Sequence, residues 1–158
     1  DRLYEHVIPA LSGAWWQGPL CTDGTPRGYG VFEVDGDKVD WYYKSTDYAP
    51  EHQMPIYYGE QYSQFAGQIV ANIWAADAKW QIEARFDGGE AQKMEQFTAY
   101  DPATQVMYAD REKLDHPYVY PTPADHFYRV AIPEGATTAE ITAVDRFGRR
   151  YTQTINLK

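Results

Sequence analysis

The sequence predicts an all-β fold, a single antiparallel β-sandwich of immunoglobulin-like character. Three observations predict it. Apolar residues recur with a period of two, most clearly where Trp80, Ile82, Ala84 and Phe86 alternate with Gln81, Glu83 and Arg85, the pattern of a half-buried strand. Turn residues punctuate the chain between such runs at the spacing of a sandwich or barrel. Ten Pro and 12 Gly spread over 158 residues leave little room for long helices. The length fits one domain, and a chain of this size buries roughly 70% of its extended surface, enough for a core without covalent staples.

Taken in order, residues 1–9 read as a linker or a first edge strand, and residues 10–158 as the sandwich. Asp35-Gly36-Asp37 joins Tyr29–Val34 to Lys38–Lys44 as a hairpin. Val39, Trp41 and Tyr43 share one face of its second strand. Ile69, Ala71 and Ile73 line one side of a further strand while Val70 and Trp74 put apolar groups on the other, which suits a strand covered on both sides. The strand that starts near Lys79 ends at Asp87-Gly88-Gly89, and Asp101-Pro102 breaks the chain after Tyr100. Pro133-Glu134-Gly135 follows a strand over His126–Ile132. Arg146-Phe147-Gly148-Arg149 joins Glu140–Asp145 to Arg150–Leu157, where Tyr151, Gln153, Ile155 and Leu157 alternate with polar residues. Pro117, Pro121 and Pro123 make Asp115–Asp125 a long irregular loop, while Glu60–Gly67 and Asp110–Leu114 read as single helical turns. The sequence begins at Asp1 without a methionine or a leader, as expected of a trimmed or mature piece of a longer chain.

Charge narrows the function classes. Lys plus Arg is 14 against 23 Asp plus Glu, a net charge of −9. Nucleic acid is not an expected partner, because phosphate neutralisation needs clustered cations. No apolar run reaches the length of a membrane-crossing helix and the mean hydropathy is −0.62, so no membrane insertion is expected. Cys21 is the one cysteine, which excludes an internal disulfide and leaves the compartment open.

Catalytic signals fail one by one. His6, His52, His116 and His126 stand far apart, with no metal-ligand spacing between any two. Cys21 has no His beside it in sequence and reads as a buried or half-buried free thiol. Gly24-Thr25-Pro26-Arg27-Gly28-Tyr29-Gly30 is glycine-rich, but Pro26 removes a donor and no Lys-Ser/Thr follows, so it reads as a turn before a strand. Asp35, Asp37 and Asp40 lack the ligand spacing and closing Glu of a calcium loop and read as a solvated hairpin tip. Gly36-Asp37-Lys38-Val39-Asp40 spells the Gly-Asp-x-x-Asp of dinuclear metallophosphoesterases. A site of that class takes about seven ligands from several loops and also needs an Asp-x-His, an Asn-His-Glu or Asn-His-Asp and paired downstream histidines; none is present, so the match is accidental.

The aromatic residues are the remaining signal: 14 Tyr, 5 Trp and 6 Phe. Adjacent Trp15 and Trp16, if extended, point to opposite faces. One is then expected in the core and the other at solvent, a loop or a partner; burial of both within the domain is the plainer alternative. Tyr42–Tyr43 and Tyr57–Tyr58 repeat the situation. Such an excess suits sandwich packing, a protein interface or a sugar-stacking platform.

Ser12-Gly13-Ala14-Trp15-Trp16-Gln17-Gly18-Pro19, a short insert Leu20–Thr22, and Asp23-Gly24-Thr25-Pro26-Arg27-Gly28-Tyr29 together resemble the C-terminal domain of calcineurin-like metallophosphoesterases. That family's pattern is Gly-x-Trp-Trp-x-Gly-Pro, then Asp-Gly-Thr-Pro-x-Gly-Tyr. The hairpin at Asp35-Gly36-Asp37, Tyr42-Tyr43-Lys44, Lys79-Trp80, His126 and Ala143–Arg149 are compatible with it. The resemblance implies a modular, exported bacterial parent, in the periplasm or at the cell surface, with an immunoglobulin-like domain first, a metal-dependent phosphoesterase in the middle and this domain last. Divalent metals are then expected in the catalytic domain and no cofactor in this one. The implied function is a non-catalytic accessory domain whose partner is the catalytic domain of the same chain and which shapes access to it. The alternative is a carbohydrate- or surface-binding module using exposed Trp and Tyr. An accessory domain should carry a flat apolar patch beside its N-terminal end, and a sugar binder ring faces lining a groove with carboxylates and amides close by. The candidate interface residues are Trp15, Trp16, Asp23, Arg27 and Tyr29, because Pro19 and Pro26 stiffen their loop and a stiff loop loses little entropy on docking.

Overall fold

The structure is a computed structural model and describes residues 5–158. Residues 1–4, the first part of the segment expected to be a linker or edge strand, lie outside the described residues. Residues 5–9 carry no regular secondary structure.

Ten strands follow: β1 Gly28–Asp35, β2 Lys38–Ser45, β3 Ile56–Tyr58, β4 Gln68–Asn72, β5 Gln81–Phe86, β6 Gln92–Lys93, β7 Glu95–Ala99, β8 Ala124–Ala131, β9 Thr138–Val144 and β10 Arg150–Asn156. They form two four-stranded sheets, in the orders β10-β9-β5-β6 and β3-β4-β8-β7, and a separate two-stranded hairpin β1-β2. Every pairing is antiparallel. The fold is an all-β sandwich, as the sequence predicts.

Period-two patterning builds its core. Ile82, Ala84 and Phe86 of β5 stand beside Ile141 and Ala143 of β9, and all are buried against Ile69, Ala71 and Ile73 and against Tyr128 of β8. Trp80, just before β5, stacks on Tyr151 with ring centroids 5.8 Å apart. The other face of β4 is covered too, as expected: Val70 and Phe127 pack under Tyr62 and Phe65, which belong to the 3-10 turns Gly59–Phe65.

Five elements differ from the sequence reading. Asp101-Pro102 does not simply break the chain; it starts helix α1, Pro102–Met107, with the Asp101 carboxylate accepting from the Ala103 and Thr104 amides and Pro at the first helical position, where its missing N–H costs nothing. Strands β3, β6 and β7 are absent from the sequence reading because β3 has only three residues, β6 has two, both exposed, and β7 turns only Phe97 and Ala99 toward a core. Strand β8 begins at Ala124, so the irregular loop stops at Pro123 rather than Asp125. A third, small core lies at one end of the sandwich, where Ala14, Tyr108 and Val119 pack with Met107 and Leu114.

Candidate functional site

The segment carrying both tryptophans is a turn. Trp16 N–H donates to the Ser12 carbonyl (3.2 Å), Gln17 N–H to Ala14 (3.2 Å) and Ala14 N–H to Leu20 (3.2 Å). Gly13 has φ +64, and a Cβ there would sit 2.4 Å from the Gly18 carbonyl oxygen, so only glycine fits. Trp15 and Trp16 themselves have φ 57° and 61°, a left-handed conformation that costs an ordinary residue roughly 1–2 kcal/mol.

Strand alternation therefore does not apply here, and the expectation that one indole enters the core is corrected. Ala14 fills the small core in its place, and Trp15 and Trp16 are 55% and 78% exposed. Trp15 presents its ring to His116 and Tyr118, with centroids 6.1 and 6.0 Å away. Tyr118 and Tyr120 of the Pro-rich loop are exposed as well, so the two loops form one aromatic surface.

The Asp-Gly-Thr-Pro loop does different work. Leu20 and Pro26 bridge across it, and Arg27 N–H donates to the Pro19 carbonyl (2.8 Å). Asp23 Oδ1 accepts from Thr25 N–H (2.9 Å). Gly24, at φ +87, lies so close to Asp101 that a Cβ would be 2.3 Å from the Asp101 Cβ. Thr25 is buried.

Beneath this loop runs a buried polar chain. Asp101 is fully buried, and its carboxylate accepts four hydrogen bonds: Ala103 N–H (2.9 Å), Thr104 N–H (3.2 Å), Tyr57 Oη–H (2.9 Å) and Asn72 Nδ2–H (2.9 Å). That many donors offset the cost of taking a carboxylate out of water. Asn72 Nδ2 also donates to the Asp23 carbonyl (3.3 Å). With both amide hydrogens used, Asn72 Oδ1 accepts from His126 Nδ1 (2.6 Å). His126 Nε2 then lies 3.5 Å from Asp23 Oδ2. Burial raises the Asp23 pKa, but His126 and the Thr25 amide outweigh it and hold the carboxyl below its ordinary value. Burial, and then the Asp101 charge, push the Tyr57 phenol up.

Asp23 and His126 border a cleft of about 560 Å³ that is also lined by His6 and by Phe32 and Trp41 of the hairpin. Arg146 lies 4.9 Å over the Trp41 ring and donates from Nε to Asp77 (2.7 Å). Among the described residues no group of three or more His, Cys, Asp or Glu side chains is placed to hold a metal ion. Cys21 is half-buried, and burial, together with nearby Asp23, raises its thiol pKa, which suits an inert thiol.

A family model described as the C terminal of calcineurin-like phosphoesterase matches residues 5–151. The chain belongs to that family. No curated protein and no solved structure matches it. In this phosphoesterase C-terminal domain, the two motif halves divide their labour. The Trp-Trp half is an exposed turn, and the Asp-Gly-Thr-Pro half is clamped onto α1 and β4. The five candidate residues accordingly fall into separate settings. Trp15 and Trp16 share the aromatic surface, Asp23 faces His126, Arg27 is held bidentately by Asp47 (both contacts 2.9 Å), and Tyr29 is exposed on β1. Asn72, Asp101, Tyr57 and His126 are not among the candidate site residues of the sequence reading, although His126 is one of the positions it found compatible with the family. Its one available signal was Asp101-Pro102 as a helix start; the Asn72–His126 contact spans 54 residues and no local pattern marks it.

Proposed function

We propose that this chain is a non-catalytic accessory domain that packs on the calcineurin-like catalytic domain of its own parent chain and shapes access to it. The observation that carries the reading is the Trp15–Trp16 turn. Two adjacent indoles are held in a strained backbone conformation and kept out of every core of the domain, and strain of that kind, where the core gains nothing from it, is a mark of a functional surface. Buried tryptophans dominate interface energetics. Trp16→Ala in the full-length parent should therefore cost about 2 kcal/mol or more of domain docking, or lower its kcat/KM, with little change in the melting point of this domain. Unchanged docking and activity would sink the reading.

A second reading, a carbohydrate- or surface-binding module, is favoured by the same exposed rings of Trp15, Tyr118 and Tyr120. Saturable quenching of tryptophan fluorescence by soluble oligosaccharides, abolished in Trp15→Ala, would favour it over docking.

The sandwich itself supports an immunoglobulin-like reading. With β3, β4, β5, β7, β8, β9 and β10 taken as strands A to G, one sheet runs A-B-E-D and the other contains C, F and G, with the two-residue β6 as a further edge beside C, close to the division of a constant-type domain. The parent is read as an exported bacterial protein, which fractionation of the producing cell tests.

A further inference from the structure

The hairpin β1-β2 is two-faced and joins neither sheet. Phe32 and Val34 pair with Trp41 and Val39, and strand alternation puts these four side chains on one face with Tyr43. Glu33, Asp35, Lys38, Asp40 and Lys44 alternate onto the other, together with Tyr29, Val31 and Tyr42. The apolar face is covered at its base, where Tyr43 is buried, and opens toward its tip: Phe32 is 44%, Val39 43% and Val34 70% exposed. An isolated two-stranded ribbon is marginal in water; this one is held to the sandwich at Trp41, which packs on Phe147 with centroids 4.7 Å apart and whose carbonyl accepts from Arg149 (2.7 Å), while its apolar tip is left largely bare.

The path of the chain bears on what covers that tip. Residues 5–9 line the cleft beneath this apolar face. Ile8 Cδ1 occupies the place a side chain on Gly30 would take, 2.5 Å from a Cβ built there. His6 sits edge-on to Phe32 and Trp41, with centroids 5.2 and 4.6 Å away. Going back along the sequence from Ile8 to His6 therefore moves from Gly30 to Phe32, toward the tip. Of the described segment, His6 is thus the part that lies nearer the Val34–Val39 end. Family membership makes this chain the C-terminal part of a phosphoesterase, so the catalytic part comes before this segment in the sequence.

We propose that the apolar face of the β1-β2 hairpin, at Phe32, Val34 and Val39, is a docking arm for the catalytic domain of the same chain, continuous with the connecting segment that runs over it. This rests on the accessory-domain reading and adds a second contact to the tryptophan turn. Tethering within one chain raises the effective concentration of the two surfaces, so a small apolar contact is enough. The outer face is charged toward the tip, where Glu33, Asp35, Lys38 and Asp40 lie, which keeps that side of the arm in water.

The test uses the full-length parent in three forms: wild type, Val34→Glu with Val39→Glu, and Trp16→Ala. Both valines are solvent-facing within this domain, so the double substitution leaves its cores intact. Small-angle scattering gives the radius of gyration and calorimetry the number of unfolding transitions. The expected result is a compact wild type melting in one transition, and a hairpin variant with a larger radius and a separate transition. If the hairpin variant stays as compact as wild type while Trp16→Ala opens the particle, the arm is overturned and the accessory reading stands. If the wild type is itself extended with independent transitions, both fall.

Discussion

Asn72 ties the Asp-Gly-Thr-Pro loop, helix α1 and His126 together through one side-chain amide. Replacing it with Ala leaves the His126 Nδ1–H and one lone pair of the buried Asp101 without partners. The expected loss is about 1–3 kcal/mol, read as a lower denaturant midpoint with an unchanged m-value; a loss under about 0.5 kcal/mol would mean the network does not hold the loop. Gly24→Ala strikes the same place by another route. It pushes a methyl into Asp101 at a positive φ, and overpacking and backbone strain together should cost about 2–4 kcal/mol. Asp23 adds a pH dependence. Its folded carboxyl titrates below its ordinary value of 3.8, so its stabilisation is complete above that pH and is lost as pH falls through the folded value. The stability difference between wild type and Asp23→Asn should stay level down to about pH 4 and shrink below it. Denaturant melts from pH 7 to 2.5 decide, and a difference that grew on acidification would contradict the assignment.

At the scale of elements, β5 is the strand its sequence describes. Ile82, Ala84 and Phe86 are buried and Gln81, Glu83 and Arg85 exposed, because one face meets the opposite sheet and the other water. Phe86→Ala should cost about 3–5 kcal/mol; a melt showing under about 1 kcal/mol would place that face in solvent. Helix α1 was within reach of the sequence, since Asp101 caps and Pro102 opens a helix, but the Asp-Pro pair serves turns and helix starts alike and only the packing of Thr104 and Tyr108 separates them. The Trp15–Trp16 turn was out of reach. Alternation presumes an extended chain, and two successive aromatic residues at positive φ are rare enough that no propensity announces them. What forces them is the close approach of Gly13 to Gly18, a contact that exists only once the turn has closed.

For the whole molecule, the family assignment and the set of side chains make a specific prediction. This domain alone should not turn over aryl phosphate mono- or diesters in the presence of Mn²⁺, Zn²⁺ or Fe²⁺, because no cluster of ligands for a metal pair is assembled among the described residues. Metal-dependent turnover that survives repurification would refute this. The sequence by itself determined the sandwich, its main strands, their core faces and the family, because period-two burial and turn chemistry are local and are written residue by residue. It also marked the Trp-Trp and Asp-Gly-Thr-Pro segments as special. Only the tertiary structure decided what those segments do, since their environments come from partners far away in the chain. Asp101 lies 77 residues beyond the Gly24 it touches, and His126 lies 54 beyond Asn72. The direction in which residues 8 to 6 cross the hairpin was likewise decided in three dimensions, because it depends on which face of a free ribbon the incoming chain finds apolar.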